Sequence, residues 1–205
     1  MKKLILLLIF LSFFTSNSFS QTSEYYIRQG TTKKMLKDYS GAFEDFDKAI
    51  EIDPKNAEAY FYKAMLCSDP KSGVFNMFTM INFNEAIELN PKYVDAYLFR
   101  GMEKHKNGDY RGAVSDYDKA IEIDENNFES YAQRGIAKNA LNDLDGAIID
   151  LNMSIKINPK YAFAYGVRGV MKFGLGQKDT ACLDFSKAGE LGDNLSYEYI
   201  KKYCN

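Results

Sequence analysis

The chain has 205 residues, 46% of them hydrophobic, with 15 Tyr, 15 Phe and no Trp. That length suits one domain or one short repeat array, and the apolar content excludes wholesale disorder. A net charge of −2 leaves no broad basic footprint for nucleic acid.

The first predicted element is a leader. A basic start, MKK, is followed by LILLLIFL with Phe13 and Phe14 just behind it. The run is too short to span a bilayer as a helix. Small residues Ser18 and Ser20 then precede Gln21 at the −3 and −1 places. This pattern predicts a signal peptide over 1–20, cleaved after Ser20. With no Cys near the end of the run, a lipid anchor is not indicated. The expectation is an exported protein, periplasmic or extracellular in a bacterium, without an integral membrane segment after cleavage. Loss of Lys2 and Lys3 makes the mature chain more acidic.

Beyond the leader the chain repeats itself. Pro54, Pro91, Glu125, Pro159 and Asp193 close successive segments at spacings of 37, 34, 34 and 34. Tyr26, Tyr97, Tyr131 and Tyr165 recur in register, each followed four residues on by Gly30, Gly101, Gly135 or Gly169; Tyr60 and Ala64 take these roles in the second segment. Further along come Ala42, Thr79, Ala113, Ala147 and Ala181, then Phe46, Phe83, Tyr117, Leu151 and Phe185, then Ala49, Ala86, Ala120, Ser154 and Ala188. Apolar positions three and four apart predict helices in pairs. First helices fall near 23–36, 57–69, 94–107, 128–141 and 162–175. Second helices fall near 40–52, 76–89, 110–123, 144–157 and 178–191. Turn signals separate them, such as NGDY at 107–110 and NPKY at 90–93 and 158–161. The second segment is irregular: SDPKSGVFN at 68–76 carries three extra residues, and Pro70 should cut its first helix short. NLSYEYIKKYCN at the end reads as a short amphipathic helix.

A 34-residue period of aromatic, small residue, alanine, second aromatic, second alanine and terminal Pro resembles the tetratricopeptide repeat over about 23–193. The resemblance implies an all-α fold: antiparallel helix pairs stacked into a right-handed superhelix, an α-solenoid. The repeats would be about 23–56, 57–93, 94–127, 128–161 and 162–195, with a capping helix at 195–203. It also implies a concave groove lined by first helices that binds a protein or peptide. The chain departs from the pattern in places. Tyr replaces the usual Trp, Glu125 and Asp193 replace Pro, and Lys33, Cys67, Lys104, Lys138 and Lys172 stand where an aromatic is common. Gly or Ala in the first helix is expected to let the alanine of the second approach closely.

The twin stretches EDFDKAIEID at 44–53 and SDYDKAIEID at 115–124 pose the question of chemistry. A calcium loop needs its carboxylates on a turn, with Gly to bend it, whereas these acids flank an apolar helical stripe. No metal site is expected. Asp45, Asp116, Asp150 and Asp184 share one repeat position, with Asn82 as the fifth. Lys63, Arg100, Arg134, Arg168 and Lys202 recur on first helices and in the tail. The pattern suggests inter-repeat ion pairs Asp45–Lys63, Asn82–Arg100, Asp116–Arg134, Asp150–Arg168 and Asp184–Lys202. Pairing within a repeat would set Asp45 against Gln29 and strand Lys202, so the inter-repeat scheme accounts for more residues; the other alternative is surface charges that merely repeat. The resemblance places Phe61, Met65, Leu98, Met102, His105, Ile136, Val170 and Phe173 in the groove, with Glu58, Asp95 and Glu129 on its rim. Ile27 and Thr31 stand where a carboxylate clamp would begin, so that specificity is not supported. His105, the only histidine, has no nucleophile pattern to serve. Cys182 and Cys204 would close a loop of about 22 residues, although ideal register sets them about a turn apart, so bridged and free states both stay open; Cys67 reads as a buried free thiol. The expected function is a non-enzymatic, cofactor-free scaffold that binds a protein or peptide through its groove. The alternative is a structural subunit of a cell-envelope assembly that uses its convex face or edges.

Overall fold

The computed structural model describes residues 22–73 and 77–204. The leader read at 1–20, and residues 74–76 of the insertion, lie outside the described residues. The described residues form helices and no strand. They divide into two compact units, the first ending at Leu89 and the second beginning at Asn90.

The first unit holds α1 (Ser23–Met35), α2 (Tyr39–Ile52), α3 (Ala57–Cys67) and α4 (Met77–Leu89). α3 stops at Cys67, two residues before the expected end. Asp69 accepts from the Lys71 backbone N–H and the Ser72 hydroxyl donates to the Asp69 carbonyl, closing a turn around Pro70. The core lies between the pairs. Ala42, Phe46 and Leu66 form one cluster and Ile27, Ala49 and Ala59 another, with Tyr62 packed on both. The Phe46 and Tyr62 rings stack 6.1 Å apart. Neither helix pair could bury this surface alone, which is why adjacent pairs must stack.

The second unit holds α5 (Val94–Lys106), α6 (Tyr110–Ile123), α7 (Phe128–Ala140), α8 (Leu144–Ile157), α9 (Ala162–Gly174), α10 (Lys178–Glu190) and the shorter α11 (Asn194–Tyr203). Leu98, Ala113, Tyr117 and Ala137 form one core cluster. Ala132, Ala147, Leu151, Ala164 and Met171 form the next.

Local chemistry sets the helix ends. Asp38, Asp109 and Asp143 cap second helices, each accepting from the backbone N–H of the glycine three residues on. Such caps satisfy a donor that the helix cannot. Asp53, Asn90, Asp124 and Asn158 each accept from the N–H two residues later, in the connections to the next pair. This turn forms at Glu125 as well as at the prolines, so Pro is dispensable there.

The close approach within a pair differs from expectation. Gly101 lies against the Tyr117 ring, and an added Cβ would come within 2.6 Å of it. The aromatic of the second helix, rather than its alanine, occupies the space. Gly135 is the exception: opposite it the second helix carries Leu151, and the Ala147 carbonyl comes to 2.9 Å of the Cβ position. With no flat ring to slot in, backbone fills the gap.

Candidate functional site

The buried acids pair within their own repeats, which corrects the inter-repeat scheme. Asp116 accepts from Arg100 Nε at 2.9 Å and Nη2 at 2.6 Å, and Lys104 Nζ lies at 2.8 Å. Asp150 receives Arg134 and Lys138, and Asp184 receives Arg168 and Lys172, with the same geometry. Asp45 pairs with Lys33 at 2.6 Å. The expected partners Asp45–Lys63, Asp116–Arg134, Asp150–Arg168 and Asp184–Lys202 are therefore replaced. The reason is packing direction: Asp116 neighbours Tyr117, whose ring faces Gly101 of the same pair, so the acid points to Arg100 beside that glycine. Lys202 instead lies over the Tyr203 ring at 4.9 Å.

Reach between repeats comes from the residue two further along. Lys63 pairs with Asp47, Arg134 Nη1 donates to Asp118 at 2.6 Å, and Arg168 Nη1 donates to the Asn152 side chain at 2.6 Å. Each arginine also lies near the ring of the tyrosine three residues before it: Tyr97, Tyr131 or Tyr165, at 5.3–5.5 Å. Burial opposes the charge of Arg134, but its bonds to Asp150 and Asp118 raise its pKa. Arg suits this role because its fork serves two acceptors while its face meets a ring. In the second repeat Lys63, Cys67 and Asn82 occupy these places. The acid and the second cation are lost together, which keeps that interior free of an unbalanced charge.

Three of the expected groove residues of the second unit, Leu98, Met102 and Val170, line hollows. Leu98 and Met102 of α5 meet Phe99, Glu129 and Gln133, and Tyr161 from the connection before α9, around a hollow of about 160 Å³. Val170 lies in a second, larger hollow of about 330 Å³ between α9 and α11, with Phe163, Val167, Leu195, Ser196 and Tyr199. Exposure there is high: Val170 is 45% and Leu195 62% exposed. Phe61 is spent on packing, its ring near Tyr62 and Phe83. Phe173 packs on Tyr203 at 4.6 Å. His105 rests on Tyr110 of its own pair at 5.0 Å, and burial lowers its pKa. Met65 and Ile136 are half-buried and line neither hollow. Missed from sequence were Phe99, Gln133 and Tyr161, and Phe163, Leu195 and Tyr199. Phe99, Gln133 and Val167 share one repeat position, so the period carried a signal for them; Tyr161 lies in a connection and carried none.

Cys182 and Cys204 are joined in a disulfide with Cα atoms 5.7 Å apart. Small residues bring α11 near enough: an added Cβ on Gly189 would meet the Tyr197 ring at 3.1 Å, and one on Gly166 would meet the Asp193 carboxylate at the same distance. Cys67 is a buried free thiol, and burial pushes its pKa up, which disfavours the reactive thiolate. Among the described residues no group of His, Cys, Asp and Glu is placed to hold a metal, and no helix is long and apolar enough to cross a membrane.

Profiles of the tetratricopeptide repeat match residues 23–56 and 46–74, and a TPR repeat profile matches 101–140. No curated protein matches the chain. Among solved structures, MamA is 24% identical with a TM-score of 0.69, over 85% of this chain and 97% of that one. YrrB, described as a TPR protein with an unusual peptide-binding site, is 20% identical with a TM-score of 0.66, over 90% and 94%. PilW, a type IV pilus biogenesis factor, is 19% identical with a TM-score of 0.75, over 86% and 79%. At these identities the likeness speaks to fold. The in-register helix pairs, the small-residue and aromatic slots, and the matching profiles together establish that the chain belongs to the tetratricopeptide-repeat family.

Proposed function

We propose that this chain is an exported scaffold that docks a protein or peptide segment on the first-helix face of its second unit. Tetratricopeptide-repeat proteins are generally interaction scaffolds without catalytic chemistry, and YrrB is described as having a peptide-binding site. The observation that carries the reading is the hollow between α9 and α11, where Phe163, Val170 and Leu195 stay exposed around about 330 Å³. A concavity with an apolar wall and few polar groups is the usual form of a docking site. The disulfide supports export, because such bonds persist in oxidising compartments. N-terminal sequencing of the fractionated protein checks this: a start at Gln21 is expected, and an intact Met1 in the cytoplasm would overturn it.

A second reading has its own observation. Ile149 and Leu183 of the second unit are 65% and 71% exposed at one repeat position on α8 and α10. These belong to second helices and would serve a structural subunit of an envelope assembly that uses the opposite face. A photo-crosslinking amino acid at Phe163 in one variant and at Leu183 in another separates the two. Capture of a discrete partner from position 163 and not 183 is expected; the reverse result establishes the second reading.

A further inference from the structure

The hollow between α5 and α7 differs in chemistry from the one beside α11. Its floor is apolar and aromatic, made by Leu98, Phe99 and Met102. Its wall carries Glu129 and Gln133, with Tyr161 at the edge. No Lys or Arg lines it. Glu129 is exposed and makes no salt bridge among the described residues. Asp95, at the same repeat position on α5, is exposed too. The hollow therefore presents uncompensated negative charge above an apolar floor, unlike the buried acids of the repeats, which are each matched by cations. Burial, and secondarily the Glu129 charge, pushes the Tyr161 hydroxyl up to about 12, so it remains a neutral donor throughout the physiological range.

We infer that this hollow takes a basic side chain, lysine or arginine, of the docked peptide. The long alkyl stem of such a residue lies over Leu98 and Met102, as the stems of basic side chains commonly cover apolar surface. Its cation meets the Glu129 carboxylate, with Phe99 and Tyr161 near enough to add attraction from their rings. An acidic side chain would be repelled there, and a plain aliphatic one would leave the carboxylate unanswered. The inference rests on the docking reading above and names the charge of the residue bound.

The test uses two acetylated, amidated heptapeptides of alternating Gly and Leu, one with a central Lys and the other with norleucine in its place. They are titrated into the intact isotope-labelled chain and read by backbone amide shifts. The lysine peptide is expected to shift amides within 98–102 and 129–133, to bind roughly fivefold tighter than the norleucine peptide, and to weaken as salt is raised. Glu129→Gln, at an exposed position, should retain the helical spectrum and bring the lysine peptide down to the norleucine level. Equal binding of both peptides at these amides, or lysine binding unchanged in Glu129→Gln, overturns the cation inference and leaves docking intact. Shifts at no first-helix amide with either peptide overturn both.

Discussion

Tyr117 fills a slot that Phe46, Phe83 and Phe185 fill in other repeats, and its ring is fully buried. Its hydroxyl finds no hydrogen-bond partner among the described residues, and burial raises its pKa. The Ser154 hydroxyl is likewise buried and unpartnered, at a position held by Ala49, Ala86, Ala120 and Ala188 elsewhere. An unpaired buried hydroxyl costs about 1 kcal/mol or more, and its removal without a change of shape recovers that cost. Tyr117→Phe and Ser154→Ala are each expected to raise stability by about 1 kcal/mol, read as a higher urea midpoint at unchanged slope. Both mismatches are visible in the periodic alignment. What the alignment could not supply is that the hydroxyls meet no acceptor.

At the scale of the helix pair, the device is a buried acid held by an arginine and a lysine from the preceding helix. The Asp116 side chain is 4% exposed and that of Arg100 16%, so neither is much relieved by water. Removal of one partner from such a pair costs about 3 kcal/mol, because the other charge stays buried. Arg100→Ala is therefore expected to destabilise by about 3 kcal/mol, softened to the extent that Lys104 holds Asp116 alone. A double-mutant cycle locates the pairing: Asp116 with Arg100 should couple by at least about 1 kcal/mol, and Asp116 with Arg134 by less than about 0.5 kcal/mol. Equal coupling in the two cycles would contradict the geometry. The second repeat shows the same logic in reverse, since Asn82 and Cys67 replace the acid and the lysine together.

At the scale of the whole molecule, the chain end depends on a covalent tie. α11 has ten residues, and Ser196 is its one fully buried side chain. Tyr199 stacks on Phe185 at 5.0 Å and Tyr203 packs against Phe173, but Leu195 and Tyr197 face water. A helix this short is marginal by itself. The Cys182–Cys204 bridge spans 22 residues and is worth about 3 kcal/mol. Replacing both cysteines by serine should lower hydrogen-exchange protection in α11 by about 3 kcal/mol of opening free energy and leave α1–α4 unchanged. Unchanged protection in α11 would mean that its ring contacts suffice.

The sequence by itself determined the period, the helix pairs, and the aromatic and small-residue slots. Each follows from local propensity and from apolar positions recurring along one chain. Only the tertiary structure decided which helix each acid faces. A 34-residue period reports a residue's place within its repeat, and a second helix lies beside both its own first helix and the next one. Asp116 and Asp118 are two residues apart on one helix, yet one turns inward to Arg100 and the other onward to Arg134. The disulfide was decided the same way: Gly166 and Gly189 leave room for α11 to pack closely, and the Cα atoms of Cys182 and Cys204 lie 5.7 Å apart. Exposure within the expected groove was decided there too: Phe61 and Leu98, at one repeat position, are buried, whereas Met102 and Val170, at another, are open.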